Sequence, residues 1–238
     1  MIATIELGEI AVEVVKKDIK NIHLSVYPPA GRVRISAPER MNLETIRVFA
    51  ISKLGWIKQQ QKKLAAQQRE TRREYMDRES HYVWGKRYLL QVIESDAAPA
   101  VELKHSKMLL QIRPGTGEDR KQAIVDEWYR AQLKEAVPSL IAKWEPLLNV
   151  KVKRFFVQKM KTKWGSCNAG SRSIRINTEI AKKPRGCLEY ILVHELVHLT
   201  VRHHDDRFTR MMDRYLPSWR LTRQTLNAAP LAHANWAY

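Results

Sequence analysis

Ile191-Leu-Val-His-Glu-Leu-Val-His198 sets two histidines and a glutamate into an otherwise apolar run. Without Gly or Pro from Leu188 to Val201, the run reads as a helix that is apolar nearly all round. His194 and His198 then lie one turn apart on one face, close enough to share a metal ion. Burying two imidazoles and a carboxylate is costly unless they are paired or ligated, so a bound metal explains their presence here. The spacing H-E-x-x-H is that of zinc hydrolases, with two ligands on the helix and a carboxylate beside the first.

A catalytic zinc ion usually takes three protein ligands and keeps one position for water. No glutamate follows Glu195, so a downstream Glu is excluded as the third ligand. His203, His204, Asp205, Asp206, Asp213 and His233 remain as candidates. His204 stands ten residues beyond His194, the spacing of H-E-x-x-H-x-x-G-x-x-H, although Val201 replaces the turn-making glycine. Ten residues of unbroken helix would carry His204 off the ligand face. The helix is therefore expected to end or bend between Leu199 and His204, and spacing favours His204 over His203. Glu195 is placed to accept a proton from a water made acidic by the metal. Asp205 or Asp206 either orients a histidine or caps the next helix.

The totals bound the rest. The chain has 238 residues, 44% of them hydrophobic, enough for one large domain or two small ones. Its two cysteines, Cys167 and Cys187, exclude a disulfide scaffold and a four-cysteine zinc site, and they fit a cytoplasmic location. No secretory signal is visible at the start, and no run is long and apolar enough to span a membrane. The net charge of +17 predicts attraction to an anionic partner such as nucleic acid or nucleotide.

Along the chain, β-branched runs predict strands at Ile10–Val15, Ile22–Tyr27 and Arg32–Ser36, with a turn at Pro28–Gly31. Asn42 is a cap for a helix through Ile46, Phe49, Ala50, Leu54 and Ile57, which runs into a polar spacer. Tyr82–Ile93 predicts a strand or hairpin bent at Gly85, and Val101–Lys104 with Met108–Arg113 a second hairpin. Glu118 to about Leu148 reads as an amphipathic helix that Pro138 should kink or divide. Val150–Met160 and Ser173–Asn177 suggest a hairpin that leads into the metal helix. Short helices follow around Phe208–Leu216 and Trp219–Leu226, and the last ten residues read as a tail. No internal repeat is visible. The result is an α+β protein with β-strands and a helix over residues 1–78 and a catalytic domain over 79–238.

Several stretches resemble the YgjP-like metallopeptidases, which are related to SprT-like and WLM-type zinc proteases. They are Lys161-Thr-Lys-Trp-Gly-Ser-Cys-Asn168, Ile174-Arg-Ile-Asn177, Pro184, Tyr190 through Leu199, His204, Phe208, and Pro217 with Trp219. In the first half, Gly31-Arg-Val-Arg-Ile-Ser-Ala-Pro38 and Trp56-Ile57 also match. The resemblance implies a zincin-like core, a small sheet packed on the metal helix. It also implies one zinc ion held by His194, His198 and His204, with Glu195 catalytic. His203 stands where a non-ligand residue such as Asn is expected, which leaves His203 and His204 both open.

Lys151–Arg185 holds eleven Lys or Arg and a single acid, Glu179. In a strand, Lys159, Lys161 and Lys163 would share one face, with Trp164 on the other. These four residues are candidates for substrate contact, by pairing an extended peptide along a strand edge or by meeting phosphates. A solvated outer face is the simpler account. Cys167 and Cys187 read as buried packing. The first functional reading is therefore a zinc peptidase acting on a peptide or protein. A nucleotide phosphohydrolase, or a nucleic-acid-associated protein with a structural zinc closed by a ligand such as Cys167, are the alternatives.

Overall fold

The computed structural model describes residues 2–27, 31–66, 73–160 and 163–228. Most of the turn expected at Pro28–Gly31, the polar stretch beyond Ala66 and the C-terminal tail lie outside them. The chain divides into two compact units, whose described residues end at Ala66 in the first and begin at Arg73 in the second.

In the first unit, β1 (Ile2–Leu7), β2 (Ile10–Lys17), β3 (His23–Tyr27) and β4 (Arg32–Pro38) form a sheet in the order β1-β2-β4-β3. β2 and β4 run parallel and the outer pairs antiparallel. Strand alternation sends Val12, Val14, Val33, Ile35 and Ala37 to one face, where Ile46, Ala50 and Ile57 cover them. The other face is polar, with Glu13 bridging Arg34 at 2.9 Å and Arg32 at 3.5 Å. Asn42 caps α1 (Leu43–Ser52), its Oδ1 accepting from the N–H of Thr45 at 2.7 Å. The helix expected to run on through Ile57 is broken at Lys53, and α2 (Leu54–Ala66) starts afresh.

The second unit opens with β5 (Ser80–Val83), β6 (Lys86–Glu94), β7 (Ala100–Lys104) and β8 (Lys107–Ile112), in the order β5-β6-β8-β7 with β6 and β8 parallel. This strand order and sense repeat those of the first sheet, a likeness that residue identities do not show. α3 (Glu118–Leu148) lays Val125, Tyr129, Leu133, Val137, Trp144 and Leu148 into the core. Pro138 does not divide it: α3 is one continuous helix containing both Pro138 and Pro146. Pro138 and Lys134 are both exposed, so the carbonyl that loses its N–H partner faces water, which can replace the bond.

The expected hairpin before the metal helix is a three-stranded sheet instead. β9 (Arg154–Gln158) runs parallel to β11 (Ser173–Asn177), and the antiparallel partner of β11 is β10 (Gly165–Asn168). Asn168 Oδ1 accepts from Ser171 N–H at 2.9 Å and closes the β10–β11 turn. A 3-10 turn (Thr178–Lys182) then leads into α4 (Arg185–Val197). The β5–β6 turn is tied to it, with Trp84 N–H donating to Ala181 O at 2.8 Å. Gly85 has φ +80°, and a Cβ there would lie 2.9 Å from Pro184 Cγ, so the turn requires glycine. β10 and β11 pack on α4, as do α3, α5 (Asp206–Tyr215) and α6 (Trp219–Ala228). α4 is thus the axis of the unit, and the architecture is α+β with a small sheet on the histidine-bearing helix.

Candidate metal centre

α4 ends at Val197, with His198 as its C-cap at φ −65° and ψ −14°. The chain leaves through a tightened turn in which Leu199 N–H donates to Leu196 O and Thr200 N–H to Val197 O, both at 3.0 Å. No residue from 198 to 205 takes positive φ, so the exit needs no glycine. Val201 is buried instead, and its carbonyl accepts from His198 Nδ1 at 2.8 Å. Asp205 then caps α5, its Oδ1 accepting from Phe208 N–H at 3.0 Å. This path returns His204 to the ligand face.

The Nε2 atom of His204 lies 3.0 Å from Nε2 of His198 and 3.0 Å from Nε2 of His194. His198 Nδ1 donates to the Val201 carbonyl, a bond that leaves Nε2 as the ring nitrogen free to act as a ligand. His204 has one Nε2 proton at most to share between two neighbours, so hydrogen bonds alone do not account for the cluster. Tetrahedral zinc with bonds of about 2.0–2.1 Å separates its nitrogen ligands by about 3.3 Å, close to the spacing found. The three imidazoles therefore fit a metal ion. No cysteine or carboxylate joins the cluster among the described residues. His203 is exposed and outside it, and Asp213 is engaged by Arg220 and by Trp219 Nε1 at 2.7 Å. His233 lies outside the described residues.

Phe208 forms the floor of the cluster, its ring centre 4.7–4.9 Å from those of all three histidines. Tyr190 meets His194 edge-on at 5.9 Å and stacks on Trp219 at 6.4 Å. Burial, then the nearby His198, His204 and Arg223, hold His194 down to about 3, so it is neutral and available as a ligand at physiological pH. His204 is lowered by burial and by His198, Arg223 and His203.

Glu195 is buried on the side of α4 that meets β10. A Cβ on Gly165 would lie 2.8 Å from Glu195 Oε1, so glycine lets the strand lie against the carboxylate. Burial pushes Glu195 up to about 7, opposed by the charge of Lys163. Cys167, two residues along β10, is pushed up to about 11 by burial and then by Glu195, which keeps it a thiol. Cys187 is buried packing.

Among the sequence candidates for substrate contact, Lys163 lies within electrostatic reach of Glu195, and half-buried Trp164 packs on the core. Lys159 lies just past the end of β9 and faces Asp126 of α3 at 3.5 Å. Lys161 lies outside the described residues. Asn177 organises this segment: its Nδ2 donates to Met160 O at 2.9 Å and Lys163 O at 2.8 Å, and its Oδ1 accepts from Glu179 N–H at 3.2 Å. Gly165 and Phe208 enter the sequence reading only through the family resemblance, because their contacts in the site join elements far apart in sequence.

A model of the YgjP-like metallopeptidase domain matches residues 20–229. The chain belongs to the YgjP-like family. The YgjP-like chain is therefore a metallopeptidase-type hydrolase, and the metal of such enzymes is typically zinc. No curated protein matches it at a significant level. Among solved structures, it is similar to the metallopeptidase zymogen jannalysin of Methanocaldococcus jannaschii, with 19% identity and a TM-score of 0.35 over 38% of this chain and 92% of that one. The metallopeptidase zymogen abylysin of Pyrococcus abyssi is 17% identical, with a TM-score of 0.36 over 41% of this chain and 99% of that one. No helix among the described residues is long and apolar enough to cross a membrane.

Proposed function

We propose that this YgjP-like chain is a zinc peptidase in which His194, His198 and His204 hold one ion and Glu195 is the general base. The convergence of the three Nε2 atoms beside a buried carboxylate carries this reading. A zinc ion held there would acidify water and polarise a peptide carbonyl. Glu195 accepts the proton of the attacking water and returns it to the departing amine. With no fourth protein ligand among the described residues, the site keeps a position for substrate chemistry, unlike a structural zinc.

β10 is an edge strand, so an extended peptide can pair along its open side next to Glu195. Lys163 and Trp164, at the entry to β10, are the side chains we assign to substrate contact; Lys159 contributes to the surrounding basic field. That field favours acidic or nucleic-acid-associated protein as the substrate. The two free cysteines suit a reducing cytoplasm.

Zinc content and a screen of peptide and nucleotide substrates, for wild type and Glu195→Gln, test the proposal. The expected result is one zinc per chain in both proteins, and cleavage of an unfolded protein by the wild type alone. Phosphate release from nucleoside triphosphates without peptide cleavage would replace this reading with a phosphohydrolase. Zinc binding with neither activity would point to a structural metal.

A further inference from the structure

The three-stranded sheet packs one face on α3 and α4 and turns the other outward. Ile174 and Ile176 of β11 are fully buried, and Phe155 and Val157 of β9 join them in the core. Gly165 of β10 meets α4 on the same side. Alternation therefore points Phe156, Arg175 and Ser166 outward, and the register sets them in one row across β9, β11 and β10. Phe156 is 42% exposed, and the Arg175 guanidinium lies 5.5 Å from its ring centre. Arg154, about 7 Å from Phe156 along β9, faces the same way. Lys153 N–H donates to Arg172 O at 2.9 Å, which carries the β9–β11 pairing one step further and sets two exposed cations at that end.

Charge and shape on this face select one class of partner. No acidic residue occurs from 146 to 178. None of Lys153, Arg154, Arg172 and Arg175 has a carboxylate partner among the described residues. Like charges this close repel one another, and a polyanion relieves that repulsion. The charges alone would suit any polyanion, but the ring among them is more selective. An unpaired nucleobase stacks on a phenyl ring and on a guanidinium plane, while its neighbouring phosphates meet the flanking cations. In a duplex the base faces are stacked on one another and offer this ring nothing to meet.

We propose that the outer face of the β9–β11–β10 sheet binds single-stranded nucleic acid. A base stacks on Phe156 and Arg175, and phosphates lie on Arg154, Lys153 and Arg172. The face points away from α4 and its histidines, so this binding does not depend on the peptidase reading.

Fluorescence anisotropy on the zinc-loaded chain tests this, with labelled oligothymidylate and oligouridylate of about twelve nucleotides and a DNA duplex of the same length. Both single strands should bind more tightly than the duplex. Phe156→Ala should weaken single-strand binding roughly 5–150-fold, and Phe156→Tyr should retain it. Arg154→Gln should flatten the slope of log affinity against log salt by about 0.7, whereas Phe156→Ala should leave that slope unchanged. Arg120→Gln, at an exposed position of α3, controls for net charge and should match the wild type. Thermal unfolding of each variant checks that the fold is kept. Preference for one single strand identifies RNA or DNA as the strand recognised, and equal affinity identifies a face indifferent to the sugar. A duplex bound as tightly as the single strands would overturn the proposal, and so would wild-type affinity in folded Phe156→Ala. An unchanged salt slope in Arg154→Gln would do the same, even if Phe156→Ala did not fold. An equal loss in Arg120→Gln would reduce the effect to the general charge of the chain. If the wild type binds the single strands as expected but cleaves no peptide, the peptidase reading fails by itself.

Discussion

Gly165 offers the most direct test of how the site is built. A Cβ at this position would lie 2.8 Å from Glu195 Oε1, 2.8 Å from Ile191 Cγ2 and 3.0 Å from Glu195 Cγ. Ordinary carbon contacts need about 3.5–4.0 Å, so Gly165→Ala must separate β10 from α4 by roughly 0.5–1 Å or turn the Glu195 side chain. Neither adjustment is easy, because Ile191 and Glu195 are both buried and β10 is held by β11. Overpacking of this kind costs about 1–3 kcal/mol. In a domain of this size that lowers Tm by roughly 2–12 °C. Because the displaced group is the base, a shift approaching 1 Å should reduce kcat by about 10²-fold. The histidines reach the metal position from another part of α4 and from the loop after it, so zinc affinity should persist. The measurements are thermal unfolding of the zinc-free and zinc-loaded protein, single-turnover peptide cleavage, and chelator competition for zinc. A Gly165→Ala protein with wild-type Tm and kcat would show that the strand does not press on Glu195. Loss of zinc with retention of the fold would show that Gly165 supports the histidines instead.

Three further outcomes follow from the same packing. In zinc-free protein, Glu195 rises from 4.5 to about 7, so the folded state holds its proton more tightly than the unfolded state does. The contribution of Glu195 to stability is therefore full below about pH 4.5 and is lost, by about 3 kcal/mol, as pH rises through 7. Glu195→Gln should remove that slope from zinc-free denaturation curves, and an equal slope in both proteins would contradict the burial argument. Phe208→Ala should cost about 3–5 kcal/mol, because the buried ring supports three imidazoles. Zinc affinity should drop with it by roughly 10–100-fold in chelator competition, whereas destabilisation with intact affinity would confine Phe208 to packing. Asn177→Ala leaves the backbone groups of Met160 and Lys163 without their partner and should cost at least about 1–3 kcal/mol. Hydrogen exchange should rise at Lys163 and Trp164 before the α4 core responds, and uniform exchange across the domain would argue against a local staple.

Much of the site was legible in sequence because helix geometry is local. Two histidines at i and i+4 must share a face, and an apolar setting makes their burial costly without a ligand, so His194, His198 and the neighbouring Glu195 could be read directly. The lack of any later glutamate narrowed the third ligand, and the spacing pointed to His204, which the structure brings to the other two. The helix cap at Asn42 was legible for the same reason. Tertiary structure alone decided which strands pair: β9 and β11 run parallel although a hairpin looked natural, and β10 supplies the antiparallel edge. It also decided that Pro138 does not divide α3, where the carbonyl that loses its partner faces water. The close approach of Gly165 to Glu195 and the Phe208 floor both join residues from different elements. Such contacts depend on side-chain packing between distant segments, whereas residue order constrains geometry strongly only within a helical turn or a strand.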